Sequence, residues 1–219
     1  MQQEEEKVEV VRTLRTGIAP TMKGLGLVSA ADGVFRIWGA RREVCGAVAV
    51  FPYSRQGHYT IEIGLVAPLV REAFGLSVPK RPRPSSANGS GMYYRLERLL
   101  GQKMETGYMA SSREDVAALA AFFCEKVVEV FPTLWGRLGT LAGWAAHYQD
   151  ALDRNVAGRE YLWKMLGLSI VGSAAGEESE FLRALGVAND EGVSQDLLLR
   201  LEVHGRQRWP ELRLPWAGR

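Results

Sequence analysis

Cysteine, histidine and long apolar runs are all scarce in this chain, and each shortage removes a class of function. Two cysteines occur among 219 residues. Cys45 and Cys124 each sit inside an apolar run, the setting of reduced, buried thiols in a cytosolic protein rather than of a disulfide framework. No CxxC pair or Cys/His cluster offers a metal site. The three histidines stand in "RQGHYT", "AAHYQD" and "EVHGRQ". None has a histidine partner at i+3 or i+4, so a helical zinc pair is absent, and His58 and His147 read as surface or hydrogen-bonded side chains.

The run that most resembles a membrane segment, "VCGAVAVF", has eight residues, far short of the roughly 20 a spanning helix needs. "MQQEEEK" is acidic, so no ordinary secretory signal is expected there. These features predict a cytoplasmic protein with no membrane attachment. The net charge is only +2, so nucleic-acid affinity would have to come from a local patch.

Catalytic motifs are missing too. There is no GxxxxGK[ST], and "ANGSG" lacks the lysine and helix start that phosphate binding wants. "GSAAGEESEF" does not fit GxSxG. Glu177, Glu178 and Glu180 read as helix-start charge complementing the dipole. Cys45 and His58 lie on neighbouring predicted strands, so contact is conceivable, but a thiol among hydrophobes is silenced by a raised pKa. The chain therefore reads as non-enzymatic, with no catalytic residue, cofactor site or metal site.

The pattern that is present predicts an α+β fold. Val8, Val11, Leu14, Ile18, Met22 and Leu25 recur at helical spacing, and Gly17 and Pro20 predict a kink or break after Thr16. Three strands follow: "GVFRIWG", "EVCGAVAVFPY" and "HYTIEIGL", with "SRQG" as a tight turn. Phe35, Ile37, Tyr59, Ile61, Ile63 and Leu65 point inward; Arg36, Trp38, Thr60 and Glu62 point to an outer face. "LVREAFG" suits a helical turn or a strand extension. "MYYRLERLL" suits a fourth strand or a short helix. The expected first half is thus an N-terminal helix on an antiparallel three- to four-stranded sheet.

"SSREDVAALAAFFCEKVVEVFP" then opens a helical half. Ser111 or Ser112 is the predicted cap, Glu114 and Asp115 suit the first turn, and Pro132 is the predicted end. Further helices are expected near 133–153, 158–170, 177–186 and 193–204. The tail carries Trp209 and Trp216 with Arg206, Arg208, Arg213 and Arg219, where the tryptophans read as core anchors. The expected organisation is a sheet domain over 1–132 with a mobile basic loop at 77–91, and a helical extension over 133–219 packed on it as one continuous unit.

That loop, "VPKRPRPSSANGSG", heads the local patch. Between Arg71 and Lys103 seven basic residues (Arg71, Lys80, Arg81, Arg83, Arg95, Arg98, Lys103) face two acidic ones, Glu72 and Glu97, a balance of +5. Tyr93 and Tyr94 lie within it. Arginine and tyrosine are favoured anchors for a protein partner, and cations with aromatics also suit single-stranded nucleic acid. The candidate partner-binding residues are Lys80, Arg81, Arg83, Tyr93, Tyr94 and Arg95, with Arg36 and Trp38 on the outer sheet face.

A helix, "GLGL", a strand with "FRIW", a long central strand, "GHYTIEIGL", then "YRLERL" and a helix carrying "VEVFPTL" occur in this order. Over roughly residues 8–140 this order resembles the bacterial family called domain of unknown function 4304. The matching motifs are hydrophobic patterns, not chemical ones, so the resemblance implies a fold and carries over no catalytic residue. The chain departs from it with Gly107, Tyr108 and Met109, where the family tends to place tryptophans, and with its added C-terminal helices. Proteins of this kind often sit among toxin-immunity or defence genes, which implies a binding role. The expected function is a non-catalytic protein-binding module of that type, the alternative a nucleic-acid-binding accessory protein using segment 71–103.

Overall fold

A computed structural model describes residues 2–53, 57–102 and 107–214, with side chains from residue 7 on. In chain order the elements are α1 (Gln2–Gly24), β1 (Val28–Ser29), β2 (Phe35–Trp38), β3 (Cys45–Pro52), β4 (His58–Val66), α2 (Pro68–Ala73), a 3-10 turn (Pro84–Ala87), β5 (Met92–Arg95), α3 (Leu96–Leu99), β6 (Tyr108–Met109) and α4 (Arg113–Leu138). The helices α5 (Leu141–Asp153), α6 (Arg159–Gly172), α7 (Glu178–Asp190) and α8 (Gln195–Arg208) complete it. The architecture is α+β: a leading helix, an antiparallel sheet, then a helical C-terminal half. The predicted "SRQG" turn, Lys103, Trp216 and Arg219 fall outside or partly outside the described residues.

The chain resolves into two compact units. The first holds 1–66 and 78–136, the second 67–77 and 137–219. This division differs from a cut at residue 132, because α2 leaves the sheet unit and α4 runs past Pro132.

In the first unit the strand order is β1-β2-β3-β4-β5, every neighbour antiparallel, and β6 pairs with the start of β4. The two additional strands, β1 and β6, have two residues each, too short to show alternation. "MYYRLERLL" is both things its pattern allowed: β5 runs to Arg95, and a turn of helix begins at Leu96.

One sheet face is an apolar core. Val11, Leu14, Ile18 and Met22 of α1 and Val116, Leu119, Phe123, Val127 and Phe131 of α4 pack on Phe35, Val48, Val50, Tyr59, Ile61 and Ile63. The predicted breaks in both helices do not occur. Pro20 and Pro132 sit inside α1 and α4 on exposed positions. There the carbonyl that loses its N–H partner meets water, while the buried stripe continues on the other side. Gly17 marks a close crossing instead: a Cβ there would lie 2.9 Å from the Ala120 Cβ. The α4 start is a reciprocal cap, with Asp115 N–H donating to Ser112 Oγ (3.1 Å) and Ser112 N–H to Asp115 Oδ2 (2.9 Å).

In the second unit α6 is the central helix, buried from Leu162 to Val171 apart from Lys164. Gly167 lets Leu201 and Phe181 close on it. Helix α5 starts at Leu141, later than the predicted 133, because residues 133–138 finish α4 and Thr140 caps the next helix through Gly143 N–H (3.1 Å). Trp209 packs on Phe181 at 5.6 Å between ring centres, and Leu212 and Leu214 are buried. In this tail Trp209 anchors as its pattern implies; Trp216 lies outside the described residues.

Candidate functional site

The second face of the sheet in the first unit holds the predicted site residues, and it is not an open surface. Alternation along β4 sends Thr60 and Glu62 to this face. Both are buried, Thr60 at 0% exposure and Glu62 at 6%. The expected outer face is therefore corrected: Glu97 of α3 and residues 78–91 cover it, with the Tyr93 and Arg95 side chains of neighbouring β5 lying on the same face.

Polar groups there satisfy one another. Glu97, fully buried, accepts from Thr60 Oγ1 (2.5 Å) and Tyr53 OH (3.1 Å). Tyr93 OH donates to Glu62 Oε1. Arg95 donates from Nε to Tyr93 OH (3.4 Å) and from a terminal nitrogen to Tyr53 OH (3.2 Å), lies 3.7 Å from Glu62 and stacks 4.9 Å above the Tyr53 ring. Burial pushes the Glu62 carboxyl up, with Tyr93 and Arg95 opposing it. Burial, then the bond to Glu62, pushes the Tyr93 phenol to about 12. Such a network orders a sheet face because each buried polar group has a partner. Tyr93 and Arg95 are thus half-buried members of this network, and Tyr94 turns the opposite way and packs on the apolar core.

Residues 78–91, expected within a mobile loop at 77–91, lie as a strap against the sheet. Pro82, Pro84, Ala87 and Ser90 are buried. The strap seats on glycine: a Cβ at Gly64 of β4 would lie 2.5 Å from Pro84 Cα. Arg83 N–H donates to Ser86 Oγ (3.0 Å), and Ser86 N–H returns to Arg83 O (2.9 Å). Arg36 holds the strap from beneath, donating Nε to Pro82 O (2.6 Å) and two terminal nitrogens to Asp32 Oδ1 (3.0 Å) and Oδ2 (2.5 Å). Arg36, expected on an open face, is 9% exposed and works as an internal strut. The Asp32 carboxyl falls to about 2, chiefly through its bond to Arg36.

Three predicted residues do reach solvent. Lys80, Arg81 and Arg83 are exposed on the strap. Of the rest of the basic stretch, Arg98 is exposed on α3, and Arg71 sits on α2 in the second unit, donating Nε to Ser77 O (2.9 Å). Lys103 lies outside the described residues. Trp38 is half-buried, with the Arg42 guanidinium 6.0 Å from its ring centre.

Sequence reasoning missed Asp32 and Tyr53 as members of these clusters, and Arg15, whose guanidinium lies against Gly33 beside Asp32. Asp32 carried a signal, the Asp-Gly of "AADGVF" between two strands; Arg15, flanked by Leu14 and Ile18, carried none.

The possible thiol–histidine pair is separated by the register. Cys45 opposes Val66, while His58 begins β4 at the far end of the ladder. Burial also pushes the Cys45 thiol up to about 12. Cys124, expected to be buried, is half-buried, its Sγ 3.8 Å from Gly17 O. His147, on α5 in the second unit, has its pKa lowered by burial and then by Arg137. No group of three or more His, Cys, Asp or Glu suited to a metal occurs among the described residues. No helix is long and apolar enough to cross a membrane among them either. No known protein family, curated protein or solved structure matches the chain.

Proposed function

We propose that the chain is a non-catalytic protein-binding module whose docking ridge is Lys80, Arg81 and Arg83, and whose partner presents an acidic surface. The observation that carries this reading is three exposed cations on a strap pinned by buried Pro82 and Pro84 and by the Arg36 bond to Pro82 O. A ridge already ordered before association loses less entropy on binding than a mobile loop. Opposite charge across the contact steers encounter and sets specificity. The resemblance to domain of unknown function 4304 extends the proposal to a partner of toxin or defence type.

A nucleic-acid reading of segment 71–103 draws on the same cations. A single-stranded groove needs rings free to stack on bases, whereas Tyr93 is bonded to Glu62 and Tyr94 packs on the core. The protein reading is therefore the one adopted.

Affinity capture from native cells tests it, comparing the wild type with the triple variant Lys80→Glu, Arg81→Glu and Arg83→Glu. The expected result is a stoichiometric partner protein retained by the wild type and lost by the variant. Equal capture by both would remove the ridge as the docking surface.

A further inference from the structure

At the β1–β2 turn two guanidinium groups meet one carboxylate, and a third lies against the turn beside it. The turn closes with Gly33 N–H donating to Ala30 O (2.9 Å), and Val34 N–H donates to Asp32 Oδ1 (3.3 Å). Gly33 has φ +71°, a conformation glycine adopts without penalty. Both Asp32 oxygens are engaged by Arg36. Arg83 approaches the same carboxylate with Nε at 3.8 Å and keeps a side chain 61% exposed. Arg15 of α1 lies against Gly33, so close that a Cβ there would be 2.4 Å from one of its terminal nitrogens.

Arg15 is the anomaly. Its Nε is buried and has no hydrogen-bond acceptor. Burial lowers its pKa, Asp32 opposes that, and neighbouring Arg83 adds to it. A buried donor without an acceptor is costly and rare in folded proteins. One carboxylate against three guanidinium groups leaves an excess of two positive charges around this turn. Arginine forks match phosphate oxygens geometrically and hold them with charge-assisted bonds.

The geometry points to a binding site for a phosphate monoester dianion, held by Arg15 and Arg83 and backed by the Arg36–Asp32 pair. A phosphoryl group carries about −1.5 to −2 at neutral pH, which matches the local excess. A phosphodiester strand carries one charge per phosphate and needs a track of cations; this cluster is one focus. The source favoured is a phosphorylated side chain of the docked protein. That choice of source rests on the docking reading above, while the site itself stands on the cluster.

Calorimetric titration of the full chain at fixed ionic strength tests it, with O-phosphoserine, inorganic phosphate and a single-stranded oligonucleotide as probes. Saturable phosphoserine binding is expected, weakened at least tenfold by Arg83→Gln and by Arg15→Gln, and unchanged by Arg12→Gln, whose guanidinium pairs with Glu9. Arg83 is exposed, so its variant keeps the fold and reads the site alone. Phosphate binding as tightly as phosphoserine supports the site and assigns it to the free anion. No saturable binding by the wild type, equal binding by both variants, or an oligonucleotide preferred over phosphoserine would overturn the proposal. Phosphoserine binding that survives while partner capture ignores the ridge would remove the docking reading and leave the site standing.

Discussion

The two faces of the sheet in the first unit are buried to similar depth by opposite chemistry. Toward α1 and α4, Ile61, Ile63, Phe123 and Phe131 are each at most 1% exposed in a wholly apolar layer. On the other side Thr60, Glu62 and Glu97 are 0–6% exposed, yet the packing there is of hydroxyls, carboxylates and the guanidiniums of Arg36 and Arg95 under a proline-bearing strap. The first face is held by area removed from water, which is additive and forgiving. The second is held by complete pairing, in which the loss of one member leaves others unsatisfied. A polar side chain on a strand is therefore no guarantee of a solvated face.

Three substitutions and one change of pH would break this contrast, the largest effect first. Phe123→Ala should destabilise by about 3–5 kcal/mol, the range for emptying an aromatic core site, and Glu97→Ala by about 2–4 kcal/mol, because the buried Tyr53 and Thr60 hydroxyls lose their carboxylate acceptor. Urea unfolding of both variants measures this; a Glu97→Ala variant as stable as wild type would mean that the second face is not held by pairing. Gly64→Ala comes next. Its Cβ would meet Pro84 backbone rather than a flexible side-chain end, so the strap must lift, at about 1–3 kcal/mol. The same change should expose the strap to proteolysis.

Acid gives the smallest effect. Asp32 has a folded pKa of about 2 against an ordinary value of 3.8. A depressed carboxylate contributes stability that is present above the unfolded pKa and is lost as pH falls through the folded one. Between about pH 4 and pH 2 the wild type should therefore lose about 2 kcal/mol more than Asp32→Asn. Parallel acid-unfolding curves for the two proteins would contradict the Arg36 clamp.

What the sequence made legible follows the same division. Apolar alternation in "HYTIEIGL" and the stripe through Val11, Leu14, Ile18 and Met22 specify the core face, because one buried apolar layer writes a simple period. The strap was not legible. "VPKRPRPSSANGSG" has the composition of slack chain, and its order comes from partners distant in sequence, Gly64 and Arg36. The prolines at 20 and 132 misled for a related reason: local propensity predicts a break, and burial on the opposite side of the helix overrides it. Of the candidate site residues, Lys80, Arg81 and Arg83 stand where composition put them. Arg36, Tyr93 and Arg95 stand out in the sequence by charge and rings; the same groups tie Arg36 to Asp32 and the strap and draw Tyr93 and Arg95 into the network beneath.

Amide hydrogen exchange across residues 84–91 tests the pinned strap most directly, in the wild type and in Arg36→Gln. The N–H groups of Ser86, Asn88 and Ser90 donate within the strap, to Arg83, Ser85 and Ala87 carbonyls. They should exchange well below the rate of unstructured chain in the wild type and speed up in the variant, as local opening becomes easier. Exchange at the unstructured rate in the wild type itself would contradict the pinned ridge and return the segment to slack.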